Sequence, residues 1–148
     1  MQNFIYALIQ VIHNFGAVTV VATAALALWL SRDGLGLRRD EGLMRGNGLV
    51  QSRLAWLMAM AWGIQVASGM LFGITTFWFE GHLPDIHGVA VAALFIKIFC
   101  AMAGFISAFS YLKLHESWTT EKQLLVWRAS FALGVVALSS AAFLRWFS

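Results

Sequence analysis

The sequence predicts an all-α integral membrane protein, a bundle of four transmembrane helices, and three observations lead there. Hydrophobic residues make up 60% of the 148 and charged residues only 11%, whereas a soluble domain carries roughly 25% charge. The apolar residues fall into four long runs, Phe4 to Leu30, Leu54 to Phe79, Ile86 to Leu112 and Leu124 to Phe147. The basic residues form no isolated patch interleaved with aromatics, which removes the nucleic-acid reading that the net charge of +3 would invite.

Each run exceeds the ~20 helical residues that cross a hydrocarbon core about 30 Å thick. None shows the alternation of a barrel strand. Helices are then the remaining way to satisfy every backbone group in lipid. The first run ends near Ala22-Thr23-Ala24, which imitates a signal-peptide cleavage site. Met1-Gln2-Asn3 supplies no positive charge ahead of it and the run is too long for a signal core, so it is expected to be a membrane helix.

Orientation follows from the distribution of Arg and Lys. The segment 31–53 holds Arg32, Arg38, Arg39, Arg45 and Arg53, whereas Glu80 to Asp85 holds only acids and His82. The positive-inside rule makes the first a cytoplasmic loop and places both termini outside, as expected for a multi-pass protein of a bacterial inner membrane. The Lys113 to Gln123 connection is balanced in charge. Trp29, Trp56, Trp118 and Trp127 are expected near the inner interface, Trp78 and Trp146 near the outer one, as an aromatic belt. Small residues predict close packing: Ala55, Ala59, Gly63 and Ala67 with Gly69 and Gly73 on the second helix, Ala90, Ala93, Ala101, Gly104 and Ala108 on the third, and Gly16, Ala17, Ala24 and Ala27 on the first.

Ionisable groups within the bilayer are costly and default to function. His13 lies eighteen residues from Ser31, about 27 Å of helical rise. Lys97 lies sixteen from Lys113, about 24 Å by the same rise. Both therefore belong to the outer leaflet, with His87 and His82 farther out and His115 alone on the inner side. Imidazole is an axial ligand of haem and a ligand of copper or zinc. His13 and His87 are accordingly the expected ligands of one b-type haem near the external face, with Lys97 or Arg145 contacting its propionates. By depth, bringing His87 to His13 requires a tilt or kink. Lys97 shares a stripe with Ala93, Ala101 and Gly104, which turns it into the bundle, where no membrane-embedded Asp or Glu can pair with it. Its partner is then a propionate, a lipid or quinone head group, another subunit's acid, or water.

Several chemistries are set aside. The single Cys100 rules out an internal disulfide and a cysteine-built zinc or iron–sulfur site. No His-Glu-x-x-His pair supports metal hydrolysis, and Ser68, Ser107, Ser139 and Ser140 are expected to bond helix carbonyls.

The stretch His13-Asn14-Phe15-Gly16-Ala17 and the His87-Gly88 opening of the third helix resemble the small bacterial four-helix membrane proteins of the CopD-like and b-type cytochrome kind. The resemblance implies haem held between histidines and electron exchange with quinone, or copper handling. His115 has no inner-side histidine partner, which departs from the di-haem pattern. The expected function is electron transfer between quinone and an external redox partner such as a c-type cytochrome. The alternatives are a non-catalytic anchor or accessory subunit of a larger respiratory or photosynthetic complex, and copper handling through His13, His82, His87 and Met70.

Overall fold

The computed structural model describes the chain except for residues 37–40, 83–85 and 148, and gives the backbone alone for the helical residues 32–36, 41–49, 145 and 147. Four helices follow one another: α1 Gln2–Gly36, α2 Glu41–Glu80, α3 Val89–Leu114 and α4 Thr120–Phe147, with a single 3₁₀ turn His115–Ser117 before α4. No strand occurs among the described residues. All four helices contain a stretch long and apolar enough to cross a membrane: Gln2–Ser31, Val50–Glu80, Val89–Ser117 and Thr120–Leu144.

The helices form an up-and-down ring in which α1 packs on α2, α2 on α3, α3 on α4 and α4 back on α1. Side-chain bonds fix the directions. The Tyr6 hydroxyl near the start of α1 donates to Glu80 Oε1 at the end of α2, at 3.2 Å. At the opposite end, the Tyr111 hydroxyl of α3 reaches Gln51 Oε1 of α2 at 3.2 Å and Gln123 Oε1 of α4 at 3.4 Å. Both chain termini and the α2–α3 connection therefore share one end, called here the terminal end.

Two boundaries differ from the hydropathy reading. The segment 31–53 was expected as a loop, yet α1 continues to Gly36 and α2 begins at Glu41. A helix leaving lipid keeps its backbone bonds for as long as its residues permit, so hydropathy marks where the membrane ends and not where the helix does. The third helix begins at Val89 instead of Ile86, because Gly88 at its N-cap adopts φ +55, a conformation that glycine enters without steric cost. His87 thus precedes the helix.

Most large apolar side chains point outward, Phe4, Phe15, Phe95 and Phe99 among them, as lipid-facing residues should. The centre is made of small residues, Ala24, Ala27, Ala55, Ala90 and Ala108, around a few large ones, Trp62, Trp127, Tyr111 and Met58. The close approaches are at Gly104, where a Cβ would overlap the Trp62 ring, at Gly134 against Val20 and Val21, and at Gly16 against Gln65 and Ile64. The Gly69 and Gly73 pair contributes no such contact: nothing lies within 4 Å of a Cβ at Gly73. Trp127, expected near the inner interface, is buried between the helices at 1% exposure, its ring tilted by 59° to that of Tyr111 at 5.0 Å. Trp29, Trp56, Trp78 and Trp146 are exposed.

Hydroxyls within the spans bond the carbonyl one turn back: Thr19 to Phe15, Ser31 to Ala27, Thr76 to Phe72, Ser139 to Val135 and Ser140 to Val136. This is the expected way for Ser and Thr to meet their hydrogen-bonding demand in lipid.

Candidate functional site

The ring of helices encloses a cavity of about 50 Å³ in the half nearer the terminal end. Its polar wall comes from three helices: His13, Asn14 and Gln10 of α1, Gln65 of α2 and Lys97 of α3. Trp62, Ala17, Val20 and the small residues Gly134, Ala137 and Ala141 of α4 close it. A few polar groups on an otherwise apolar wall is the usual composition of a binding site.

The tautomer of His13 follows from the bonding around it. Ser68 Oγ donates its hydrogen to the Ile64 carbonyl, which can only accept. The 2.8 Å contact between Ser68 Oγ and His13 Nδ1 must then be donated by the imidazole. Nδ1 carries the proton, and Nε2 is left with a lone pair for a proton, a hydroxyl or a metal. Gln65 Nε2 donates to the His13 backbone carbonyl, which fixes this turn of α1 against α2. The contact requires Gly16, because a Cβ there would stand 2.8 Å from Gln65 Nε2.

Lys97 lies on the buried stripe of α3 between Ala93 and Cys100 and lines the cavity opposite α1. No described residue forms an ion pair with it. After the internal bonds are assigned, the cavity holds the three donors of the Lys97 ammonium and the Nε2 acceptor of His13. The Trp62 ring lines the cavity as well, while its indole N–H is buried and without a hydrogen-bond partner.

The structure brings His13 and Lys97 together and leaves His87 outside. His87 is exposed ahead of α3, its carbonyl accepting the Ala90 N–H at 3.1 Å. Val89, the first residue of α3, is eight residues from Lys97, about 12 Å along the axis, and His87 lies beyond it. His82 is likewise exposed at the terminal end. The side chain of Arg145 lies outside the described residues. Met70 is exposed at 63%, and among the described residues no three His, Cys, Asp or Glu gather as a metal site.

Comparison with known protein families, with curated proteins and with solved structures finds no match for this chain. Its function has to be argued from the site itself.

Sequence reasoning singled out His13 and Lys97 but missed their supports. Gln65 and Ser68 lie three residues apart, buried at 7% and 5%, and a glutamine inside an apolar run was the signal. A second polar cluster, at the other end, also escaped. There Tyr111 stacks on His115 at 5.2 Å, the Gln123 amide donates to the His115 carbonyl at 2.7 Å, and Gln51 Nε2 donates to Ser31 Oγ at 3.3 Å. That network ties all four helices together.

Proposed function

We propose that this chain is a membrane-embedded electron-transfer protein working with quinone, and that the His13–Lys97 cavity is where the quinone oxygen is handled. The observation that carries the reading is the pairing, in one intramembrane cavity, of an imidazole lone pair with an ammonium that has no ion-pair partner among the described residues. A quinone carbonyl oxygen accepts from Lys97, while a quinol hydroxyl donates to His13 Nε2. One cavity thereby serves both redox states. The exposed residues Asn14 and Leu138 mark a lateral mouth between α1 and α4. The head group enters there from the lipid with one oxygen inside, since the cavity itself has room for an oxygen or a few waters.

In the quinol-oxidising direction, the O–H bond of the enclosed hydroxyl breaks as an N–H bond forms at His13 Nε2, and the O–H bond of the second hydroxyl breaks with its proton passing to water, so that two protons leave with the two electrons. Two electrons leave the quinol, one at a time, for a redox partner of the c-type cytochrome class or a neighbouring membrane subunit. Ser68 holds the ring so that Nε2 is the nitrogen offered, and Gln65 anchors the helix turn that carries it. The concentration of Arg between the first two spans supports placing the terminal end, and with it the site, on the external side of a bacterial inner membrane.

A b-type haem held by His13 and His87 is supported less well. Metal–imidazole bonds are about 2 Å long, and His87 does not reach the cavity that His13 lines. The residues thus fit a haem at one ligand only, so no step is routed through one. The copper reading has the same weakness, with His82, His87 and Met70 all exposed.

The test is binding of a short-chain benzoquinone to detergent-purified protein, with an absorption spectrum recorded on the same sample. Loss of a hydrogen bond to a charged group costs roughly 1.5–3 kcal/mol, so Lys97→Met should weaken binding at least tenfold, and His13→Ala should weaken quinol more than quinone. A Soret band that disappears in His13→Ala would replace this reading with the haem one. Absence of quinone binding, together with a partner retained in mild detergent only while Lys97 is present, would replace it with an accessory subunit whose acid pairs with Lys97.

A further inference from the structure

The open side of the cavity is itself polar. Gln10 and Asn14 line the cavity and are at the same time exposed on the lipid side of α1, so they form its rim. They stand eight and twelve residues inside the span that starts at Gln2, about 12 and 18 Å of rise, which is past the head groups and among the lipid tails. The Gln10 amide donates to Asn14 Oδ1 at 2.9 Å. That bond fixes which way the Asn14 amide faces and leaves both hydrogens of its Nδ2 without an acceptor among the described residues. A lipid tail offers none, and an unpaired amide in hydrocarbon is costly. Across the mouth, Gly134, Ala137 and Ala141 of α4 line the cavity, at spacings of three and four that put them on one face. None has a side chain beyond Cβ. The floor of this crevice is where α4 meets α1, since a Cβ at Gly134 would stand 3.0 Å from Val21 and 3.1 Å from Val20. Above that floor the small residues leave a crevice between α1 and α4, with an amide donor at its edge.

We infer that Asn14, positioned by Gln10, selects the class of quinone: the site takes an alkoxy-substituted benzoquinone in preference to a naphthoquinone. The inference rests on the quinone reading above and concerns the part of the ring that stays in the mouth. With one carbonyl oxygen at Lys97 and His13, the substituent beside that carbonyl stands at the rim, because Asn14 directly follows His13 in α1. In a benzoquinone with two adjacent alkoxy groups, each carbonyl has an ether oxygen beside it, and this oxygen accepts from Asn14 Nδ2. In a naphthoquinone the same edge is carbon, either the fused ring or an alkyl group, so the amide stays unpaired. Discrimination of this kind arises because the wrong ligand leaves the site's own donor unsatisfied. The quinol keeps the ether oxygen, so the preference holds in both redox states.

Binding of three probes to the detergent-purified protein tests it: a benzoquinone with two adjacent methoxy and two methyl groups, tetramethylbenzoquinone, and dimethylnaphthoquinone. Replacing methoxy by methyl keeps the ring and removes the acceptor. The wild-type protein should bind the methoxy compound about fivefold or more tighter than either of the others, the worth of one neutral hydrogen bond. Asn14→Leu should abolish that preference, and Gln10→Leu, which frees the Asn14 amide to turn, should reduce it. Asn14→Gln keeps an amide donor and should retain part of it. The two side chains are exposed and hydrogen-bond only each other among the described residues, so neither change disturbs the packing between helices. Detergent partitioning of each probe is the same for every variant, so a change in the ratio reports the rim. Lys97→Met should weaken all three probes alike. Equal binding of the three by the wild type, or a preference unmoved in Asn14→Leu, would overturn the inference and leave the quinone reading standing. A dimer or a retained partner that dissociates in Asn14→Leu, with the preference unmoved, would overturn it in favour of a neighbouring helix on the amide pair. Binding of none of the probes would sink the quinone reading itself.

Discussion

Gly104→Ala adds one methyl group at the tightest approach among the described glycines. The new Cβ would overlap Cε2 and Cζ2 of Trp62 and stand 2.7 Å from its Cδ2. Trp62 is 1% exposed and a rigid bicyclic ring, with no flexible tip to swing aside. Either α2 and α3 must separate or the indole must leave its rotamer. Overpacking of this kind costs about 1–3 kcal/mol, and contact with three ring atoms belongs at the upper end. Replacing a helical glycine by alanine returns up to about 1 kcal/mol, which leaves a net loss of roughly 1–2 kcal/mol. Gly73→Ala is the internal control: it carries the same propensity gain, with nothing within 4 Å, and should be neutral or slightly stabilising. Unfolding free energies in bicelles, measured for both variants and for Gly104→Ala combined with Trp62→Leu, check the reasoning. The smaller side chain should recover part of the Gly104→Ala loss. If Gly104→Ala proves as stable as Gly73→Ala, the account of α2–α3 packing is wrong.

Three further outcomes follow from the same structure. Lys97→Met keeps the aliphatic stem and removes a charge that has no ion pair among the described residues, so the protein should gain about 1–2 kcal/mol of stability as the proposed quinone affinity falls, a trade visible by comparing unfolding with quinone binding. In Ser68→Ala the imidazole loses its Nδ1 acceptor, and nitrogen NMR of His13 should change from one tautomer to a mixture; a single Nδ1–H tautomer in the variant would show that Ser68 does not set it. Tyr111→Phe strips the donor from Gln51 and Gln123 and should cost about 1–2 kcal/mol of stability with quinone affinity unaltered, because the cluster lies at the other end of the bundle from the cavity.

The helical class and the number of spans were legible in the chain because lipid leaves few choices: a run of apolar residues of spanning length must satisfy its own backbone. The inward orientation of Lys97 was legible for a related reason, since Ala93, Cys100, Gly104 and Ala108 mark the buried side of its helix. Helix ends outside the membrane were not legible. Hydropathy reports the solvent around a residue, and α1 and α2 continue as helix after that solvent changes. The burial of Trp127 was not legible either, because an aromatic near a span end satisfies equally well the pattern of an interface and that of a core.

Composition and the spacing of apolar residues determined by themselves that this chain makes four membrane-crossing helices, since burying a backbone in hydrocarbon is a constraint local to each segment. Which polar residues meet inside the bundle was decided only by the tertiary structure. His13 was a candidate ligand in the sequence, and the structure sets it in one cavity with Lys97, while His87 stands exposed ahead of α3. Its ring nitrogen Nδ1 meets Ser68, fifty-five positions away along the chain. Pairings of that kind depend on helix rotation and axial register, which are fixed by where glycine lets two helices close and where tryptophan holds them apart.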